Sequence, residues 1–264
     1  MADALGLVLQ GGLQIRAPSH FSNHLLRLWC LVRKACFGVF LLVHPSPFPI
    51  ANMDVDPPAR RLKGWHGRGY LPHCDFPGLI QGVTFRLHDS VPGSVLAGWK
   101  AELEWKEHRT SLDPEGTWER QRQELHRRVS AFEDTGAGCC YFRDPGLAAL
   151  MISALQHFER ERYQLFAWCV MPNHVHGLLA PLPPWGLGQI IQSWKRHSAR
   201  QANLLLGHGE GAFWAPDYYD RFMRDEAHFL QAVEYIHQNP VKAGLCRKAG
   251  DWPWSSAYQR SADL

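Results

Sequence analysis

Two closely spaced histidines are the residues of this 264-residue sequence whose spacing most directly predicts chemistry. His174 and His176 flank one valine, so on a β-strand both imidazoles project from the same face. Two such imidazoles can bind a divalent cation and leave coordination positions open for a substrate oxygen. Because the chain contains 15 histidines, an ordinary structural pair is the alternative interpretation. An H-x-H-x-D-H hydrolase is excluded, since Gly177-Leu178-Leu179 supplies no aspartate.

A tyrosine and an asparagine form the second candidate constellation, near the end of the segment 229–239. Apolar residues recur there at helical spacing, and Tyr235 and Asn239 lie one turn apart at the edge of that stripe. A tyrosine in this position can point into a cleft over a sheet, and Asn239 supplies an oxygen one turn further on. The alternative is a helix-border tyrosine that packs with its hydroxyl in water.

The elements that must position these side chains follow from the periodicity of the apolar residues. Strands are predicted at 79–87, 163–171, 174–180 and 218–223, and helices at about 95–106, 115–132, 145–158, 187–206 and 225–239. Pro240 is predicted to end the last helix at Asn239. The order predicts an α+β fold, namely a ferredoxin-like β-α-β-β-α-β sheet with helices on one face plus a C-terminal active-site helix.

The charge balance differs between the two parts of the chain. Four basic residues and one acid precede Met53, so the 28 basic and 25 acidic residues of the whole sequence become 24 of each from Met53 onward. A neutral chain is not a globally basic DNA-coating protein, and any nucleic-acid contact must come from local patches. The 45% hydrophobic and 12% aromatic content excludes disordered, collagen and coiled-coil classes.

The cysteines and the apolar runs bear on the compartment. Seven cysteines without a C-x-x-C spacing predict neither a disulfide framework nor a zinc knuckle, which favours a reducing cytoplasm. The cleanest apolar run, residues 35–43, is far shorter than the roughly 20 residues of a spanning helix. The sequence therefore predicts a cytoplasmic protein that does not enter a membrane.

The domain boundaries are predicted from composition. Residues 1–52 mix glycine, proline and scattered apolar residues without a sustained period, and Met53 opens an ordinary polar segment. We expect Met53 to be the native start, with 1–52 a non-native or disordered extension, 53–64 a linker and 65–264 the catalytic domain.

Two sequence blocks resemble the signature blocks of the REP-associated tyrosine transposases, relatives of the single-tyrosine HUH transposases of bacterial insertion sequences. One block runs from Tyr163 to His176 and the other from Tyr235 to Leu245. Further matching stretches lie at 68–73, 83–87, 194–195, 213–214, 220–221 and 251–256. The resemblance extends in order from about Trp65 to Tyr258, and residues 1–52 have no part in it.

This resemblance implies cleavage and joining of single-stranded DNA, with hairpins of repetitive extragenic palindromes as the substrate. It implies that His174 and His176 hold one Mg²⁺ or Mn²⁺ and that Asn239 is the third ligand. Tyr235 would attack a backbone phosphorus, forming a 5′-phosphotyrosine and releasing a 3′-OH. A tyrosine with a pKa of about 10 is a poor nucleophile at neutral pH, so a metal must supply much of the barrier reduction. The family also implies a bacterial, nucleoid-associated protein that acts as a monomer or a homodimer.

One stretch of the chain is the main candidate for DNA contact. Between Arg162 and Gly209 there is no acidic residue, whereas Lys195, Arg196 and Arg200 are basic. The two arginines lie on the polar face of the predicted helix at 187–206, which suits a phosphate backbone. An ordinary solvated helix face is an equally good interpretation.

Two further DNA contacts are predicted outside that stretch. Arg221 follows Tyr218 and Tyr219, which are rival nucleophiles without an amide one helical turn away. Trp254 either stacks on a base or seals the core. Two other functions stay open: a domesticated hairpin-binding protein of the same fold without significant cleavage, and a structural or RNA-interaction module whose histidine pair is incidental.

Overall fold

The computed structural model describes residues 64–68, 71–75, 78–108, 114–207 and 211–259. The predictions of an extension at 1–52, of Met53 as the start and of a linker at 53–64 lie outside these residues, apart from Gly64. The catalytic domain at 65–264 stays a prediction in its boundaries.

A two-stranded hairpin opens the described part of the chain. Strand β1, Gly64–Arg68, pairs antiparallel with β2, Leu71–Asp75. The sequence analysis missed both strands, because their glycines, histidines and proline do not give the alternation of apolar and polar residues that marks a half-buried strand.

Four further strands form one antiparallel sheet in the order β4-β5-β3-β6. They are β3, Gln81–Arg86; β4, Tyr163–Val170; β5, His174–Pro181; and β6, Tyr219–Phe222. The sheet carries the predicted succession of strands and helices, and the α+β class is confirmed. Every residue of the central strand β5 is buried, so both of its faces are covered.

Five α-helices lie within the described ranges. They are α1, Gly93–His108; α2, Pro114–Glu133; α3, Pro145–Gln156; α4, Leu187–Leu206; and α5, Glu226–Lys242. The predicted caps are present, since the Asp144 carboxylate accepts two backbone N–H groups of α3 and Asp225 accepts one of α5. None of these helices has the length together with the apolar character that a membrane crossing requires.

The helices divide between the two faces of the sheet. Helices α3 and α4 pack on one face, called the α4 face, against alternate residues of β3 and β5 such as Phe85 and Leu179. Helix α5 packs on the opposite face, called the α5 face, against Ala167, Cys169 and Leu178. The end of α2 also lies over the α5 face, where His126 stacks on Tyr219 and the Glu133 carbonyl accepts a hydrogen bond from Asn173. Helix α5 is therefore accompanied on that face by a second helix, which differs from the predicted arrangement of all other helices on one face.

Helix α5 does not end where the sequence analysis predicted. It continues through Pro240 to Lys242, so the prediction of an end at Asn239 was wrong by three residues. Proline removes one helical hydrogen bond, but the following turn is held by the N–H groups of Ala243 and Leu245, which donate to the carbonyls of Asn239 and Pro240. The extra turn carries Lys242 back over Tyr235.

Candidate active site

The structure brings the two histidines and the tyrosine together on the α5 face. His174 and His176 are 0% and 1% exposed on β5, and their Nε2 atoms are 3.0 Å apart. The ring of Tyr235, on α5, stands edge-on to His176 with 5.6 Å between the ring centroids. A strand with side-chain period two therefore presents both imidazoles to the helix that carries the phenol.

Asn173 fixes the protonation pattern of His174. Its side-chain nitrogen donates to the carbonyls of Glu133 at 3.1 Å and Ala137 at 2.9 Å, which uses both amide hydrogens. Its Oδ1 is therefore an acceptor, and His174 Nδ1, 2.8 Å away, carries the proton. The Nε2 of His174 is left with a lone pair that points toward His176.

Thr84 plays the corresponding part for His176. Its Oγ1 lies 2.9 Å from His176 Nδ1 and can either donate or accept. When Thr84 donates, His176 Nε2–H bonds to His174. When Thr84 accepts, the two Nε2 lone pairs face each other at 3.0 Å and require a cation between them.

The histidine pair fits a metal site on this geometry. Two ligands about 2.1 Å from an octahedral cation and at right angles to each other lie about 3.0 Å apart, which is the separation of the two Nε2 atoms. Burial lowers the pKa of His174 to about 3, with the nearby His126 as a second cause, and lowers the pKa of His176 well below its usual value. Both rings are neutral at pH 7, as metal ligands must be.

The remaining ligands cannot come from a third acidic, histidine or cysteine side chain at the pair. Among the described residues no group of three or more such side chains is placed to hold a metal ion. Asn239 is 2% exposed, and its side-chain nitrogen donates to the Tyr235 carbonyl at 2.7 Å. Its Oδ1 is the atom available as a ligand, and its role in metal binding stays a prediction.

Tyr235 sits in a partly dry environment with mixed charges. The residue is 36% exposed. Burial raises its pKa, the nearby Ser130 side chain opposes this, and the neighbouring Asp134 and Glu133 raise it further. Lys242 places its Nζ 4.6 Å from the ring centroid. The phenol is therefore neutral at pH 7, and its deprotonation is part of any barrier to attack.

The predicted DNA contacts divide between the two faces. Arg221 pairs with Gly82, and Tyr219 with Thr84, so Arg221 lies on the α5 face with Tyr219 and the histidine pair. Arg196 and Arg200 are exposed on α4, which covers the other face of the sheet. The structure thus places Arg221 on the same face of the sheet as Tyr235 and the two α4 arginines on the opposite face.

Lys195 and Trp254 have structural contacts. Lys195 Nζ donates to the carbonyls of Ala215, Pro216 and Asp217 at 2.8, 3.3 and 2.9 Å, and burial lowers its pKa to about 8. The Lys195 ammonium is thus occupied in holding the segment that leads into β6. This does not favour the predicted contact between Lys195 and DNA. Trp254 packs partly buried against the core of the α4 face, which favours sealing of the core over stacking on a base.

Several residues of the site were missed by sequence reasoning. The sequence identified Thr84 only as a polar residue of an alternating strand, and it identified Asn173 only as a residue of the turn between two strands. The only signal for Thr84 was its place on the polar side of β3, and its function emerges from the pairing with His176. His126, on α2, stacks on Tyr219 with 3.7 Å between the centroids. The rival nucleophile Tyr218 is 8% exposed within the core.

The family model of IS200-like transposases matches residues 148–239. The resemblance that the motifs predicted is confirmed. The segment of this chain that the family model matches includes His174, His176, Tyr235 and Asn239. It begins in α3 and ends within α5, so it contains the strands and the helix that form the candidate site.

Two curated proteins are similar to this chain over part of their length. The REP-associated tyrosine transposase of Escherichia coli (strain K12) is 28% identical over 109 residues, covering 40% of this chain and 62% of that protein. The putative REP-associated tyrosine transposase of Haemophilus influenzae is 25% identical over 114 residues, covering 39% of this chain and 64% of that protein. The chain thus spans less than two thirds of the length of these relatives.

Two solved structures are similar at low identity. A REP-associated tyrosine transposase bound to a REP hairpin is 19% identical with a TM-score of 0.39, covering 70% of this chain and 79% of that chain. A putative transposase from Deinococcus radiodurans is 18% identical with a TM-score of 0.26, covering 66% and 96%. At these TM-scores the structural likeness is weak.

Proposed function

We propose that this protein is a metal-dependent endonuclease and strand transferase of single-stranded hairpin DNA, with Tyr235 as the nucleophile. The observation that carries the proposal is the placement of Tyr235, edge-on to His176 at 5.6 Å between ring centroids, beside two imidazole nitrogens 3.0 Å apart. The match to the IS200-like transposases over the same residues supports it. The names of the curated relatives support REP-type hairpins as the substrate, and a place at the bacterial nucleoid follows from that.

His174 and His176, with the Asn239 amide oxygen, would hold the Mg²⁺ or Mn²⁺. A bound cation would polarise the scissile phosphate and offset the charge that develops on it. Asn173 and Thr84 keep the two imidazoles oriented and leave their Nε2 atoms for the ligand.

In the chemical step the Tyr235 oxygen forms a bond to phosphorus while the bond from phosphorus to the 3′ oxygen breaks. The phenol proton leaves, and the 3′ oxygen gains a proton to become a 3′-OH. The strand on the 3′ side stays attached to Tyr235 through a 5′-phosphotyrosine. One phosphodiester is exchanged for another, so attack by a different 3′-OH can join a new strand without ATP.

The proposal is tested with a hairpin oligonucleotide labelled at either end and incubated with the protein and Mn²⁺. The 3′-labelled strand should become covalently attached to the protein, and the 5′-labelled strand should be released as a shorter fragment. Both products should disappear in Tyr235→Phe and with EDTA. Tyr258→Phe, at an exposed tyrosine away from the site, is the matched control and should form the adduct like the wild type.

Two outcomes would overturn the proposal. An adduct that persists in Tyr235→Phe would assign the nucleophile to another residue. Tight binding of several hairpins without any cleavage in Mn²⁺ would favour a domesticated hairpin-binding protein instead.

A further inference from the structure

A pocket opens beside the histidine pair, between the α1–α2 helices and the edge of the sheet formed by β3 and β6. It encloses about 550 Å³ of empty space including its mouth. Its lining combines residues from all four elements. Its polar members include Thr84, Arg86, Lys100, Arg122, His126 and Glu133.

The pocket and the candidate active site share a wall. Thr84, which lines the pocket, is the hydrogen-bonding partner of His176. Tyr219, which also lines it, pairs with Thr84 across the two strands and stacks on His126. A group that enters this pocket therefore lies next to the histidine pair and on the same face of the sheet as Tyr235.

Glu133 supplies a buried carboxyl group in the pocket that the protein itself leaves unsatisfied. Its side chain is 1% exposed, and among the described residues neither carboxyl oxygen has a hydrogen-bond partner. Arg86 Nε lies 3.7 Å from one of the oxygens, which is beyond hydrogen-bond distance. Burial raises the pKa of Glu133 to about 8 despite Arg86. Buried polar groups are normally paired, so these oxygens indicate a missing partner.

The rest of the lining suits a flat and mainly apolar ligand attached to an anion. Leu96, Leu125 and Val129 provide apolar surface, and Lys100 provides positive charge, whereas the Arg122 guanidinium on the same wall is paired with Asp220 at 3.5 Å. A nucleobase has an apolar face and a polar edge, and its own phosphate is negative. Proteins that bind single strands combine such surfaces with cations in the same way.

We propose that this pocket receives one unstacked nucleobase of the DNA strand that crosses Tyr235, and that Glu133 accepts a hydrogen bond from the exocyclic amino group of that base. Adenine, cytosine and guanine carry such a group, whereas thymine does not. The inference rests on the proposed function, because it takes its ligand from the strand that Tyr235 would cleave.

The experiment uses the Tyr235→Phe protein at pH 9, so that binding is measured without cleavage and with Glu133 ionised as a hydrogen-bond acceptor only. Fluorescence anisotropy gives its affinity for hairpin oligonucleotides that carry a single abasic site at each successive position. One position should show a loss of about tenfold, the size expected for a buried base. Thymine at that position should cost nearly as much as the abasic site, because the amino group is absent.

Two pairs of substitutions in the same background connect that position with the pocket. Val129→Trp fills the pocket and should reduce the abasic penalty to less than twofold, whereas Ala131→Trp, on the exposed side of the same helix, should leave it unchanged. Glu133→Leu should abolish the discrimination against thymine, whereas Glu133→Gln keeps an oxygen acceptor but adds N–H donors that can bond a thymine oxygen, so it should only weaken the discrimination. Circular dichroism checks that each variant is folded.

The proposal is overturned if no single position shows a penalty, or if folded Val129→Trp keeps the full penalty. Discrimination against thymine that survives in Glu133→Leu would also overturn it, since the acceptor would lie elsewhere. Failure of the proposed function gives a different result, namely no covalent adduct with wild-type protein while the abasic penalty in Tyr235→Phe remains. A protein that does not bind the hairpin at all would overturn both.

Discussion

The two faces of one sheet have opposite compositions, although the same strands build both. On the α4 face, Phe85 and Trp194 pack in a closed apolar core, and the Trp194 indole N–H is satisfied by the Tyr163 hydroxyl at 2.9 Å. On the α5 face, the same strands present the histidine pair and Thr84, and the Glu133 carboxyl lies over them without a hydrogen-bond partner among the described residues.

The contrast shows how a small domain can separate stability from chemistry. Because side chains alternate along a strand, β5 can bury Val175 and Leu179 on one face and His174 and His176 on the other. The apolar face supplies burial energy. The polar face retains buried groups that are costly without a ligand and useful with one.

The largest expected effect tests the apolar face. Trp194→Ala should lower the free energy of unfolding by about 3–5 kcal/mol, because it removes a fully buried aromatic side chain and leaves the Tyr163 hydroxyl without its donor. Urea unfolding followed by fluorescence measures the loss. The affinity of the folded fraction for Mn²⁺ should stay unchanged, and a parallel loss of affinity would mean that the two faces are not separate.

The next effect tests the polar face. Asn173→Ala should weaken Mn²⁺ binding about 10–100-fold, because His174 loses the acceptor that holds its Nδ1 proton. Isothermal titration calorimetry measures it. Asn203→Ala, on α4, removes only a 3.4 Å contact to the Gly211 carbonyl and serves as the control. Equal affinities in the two variants would show that Asn173 does not orient the metal ligand.

A third effect concerns the pH dependence of stability in the presence of EDTA. The folded pKa of His174 is about 3 against 6.5 when it is unfolded, so the unfolded chain binds more protons between these values. Stability contributed by neutral His174 is therefore present above pH 6.5 and declines as the pH falls toward 3, by up to about 1.4 kcal/mol per pH unit. Urea unfolding between pH 4 and 7 should show a shallower slope for His174→Gln than for wild type. Identical slopes would contradict a buried neutral His174.

The smallest effect compares arginines on the two faces. Arg221→Gln should weaken binding of the hairpin and reduce the dependence of log K on log salt by about 0.7, the value for one phosphate contact on a single strand. Arg196→Gln, on the exposed side of α4, should have a smaller effect on the affinity for the hairpin and on its salt dependence. Anisotropy titrations at several salt concentrations decide the matter, and a larger effect at Arg196 would place the DNA on the α4 face.

The sequence predicted the parts of the molecule that depend on local pattern. The order of the four-stranded sheet's elements and the capping residues Asp144 and Asp225 follow from periodicity and turn chemistry, and the structure has them. The end of α5 was mispredicted because the turn after Pro240 is closed by later N–H groups, which a rule about proline alone does not include. The β1–β2 hairpin was missed because it lacks an alternating pattern.

Within the candidate site, only the predicted metal ligands and the predicted nucleophile could be identified from the sequence. The histidine pair and Tyr235 have a spacing or a position that stands out in the sequence. The partners that orient them depend on long-range packing, since Thr84 lies 92 residues before His176, and the Glu133 carbonyl that holds Asn173 lies 40 residues before it. No local pattern encodes such contacts, because they arise only when the strand register and the position of α2 are both set.

The hydrogen bonds of Asn173 make the end of α2 part of the histidine site. If α2 moved away, the Asn173 amide would lose its acceptors at Glu133 and Ala137, and its oxygen would no longer be directed at His174. Binding free energies that share one structural element are coupled, and the coupling is equal in both directions. A cation that favours this orientation of His174 therefore also favours the docked position of α2, and whatever secures α2 against the sheet tightens the hold on the cation.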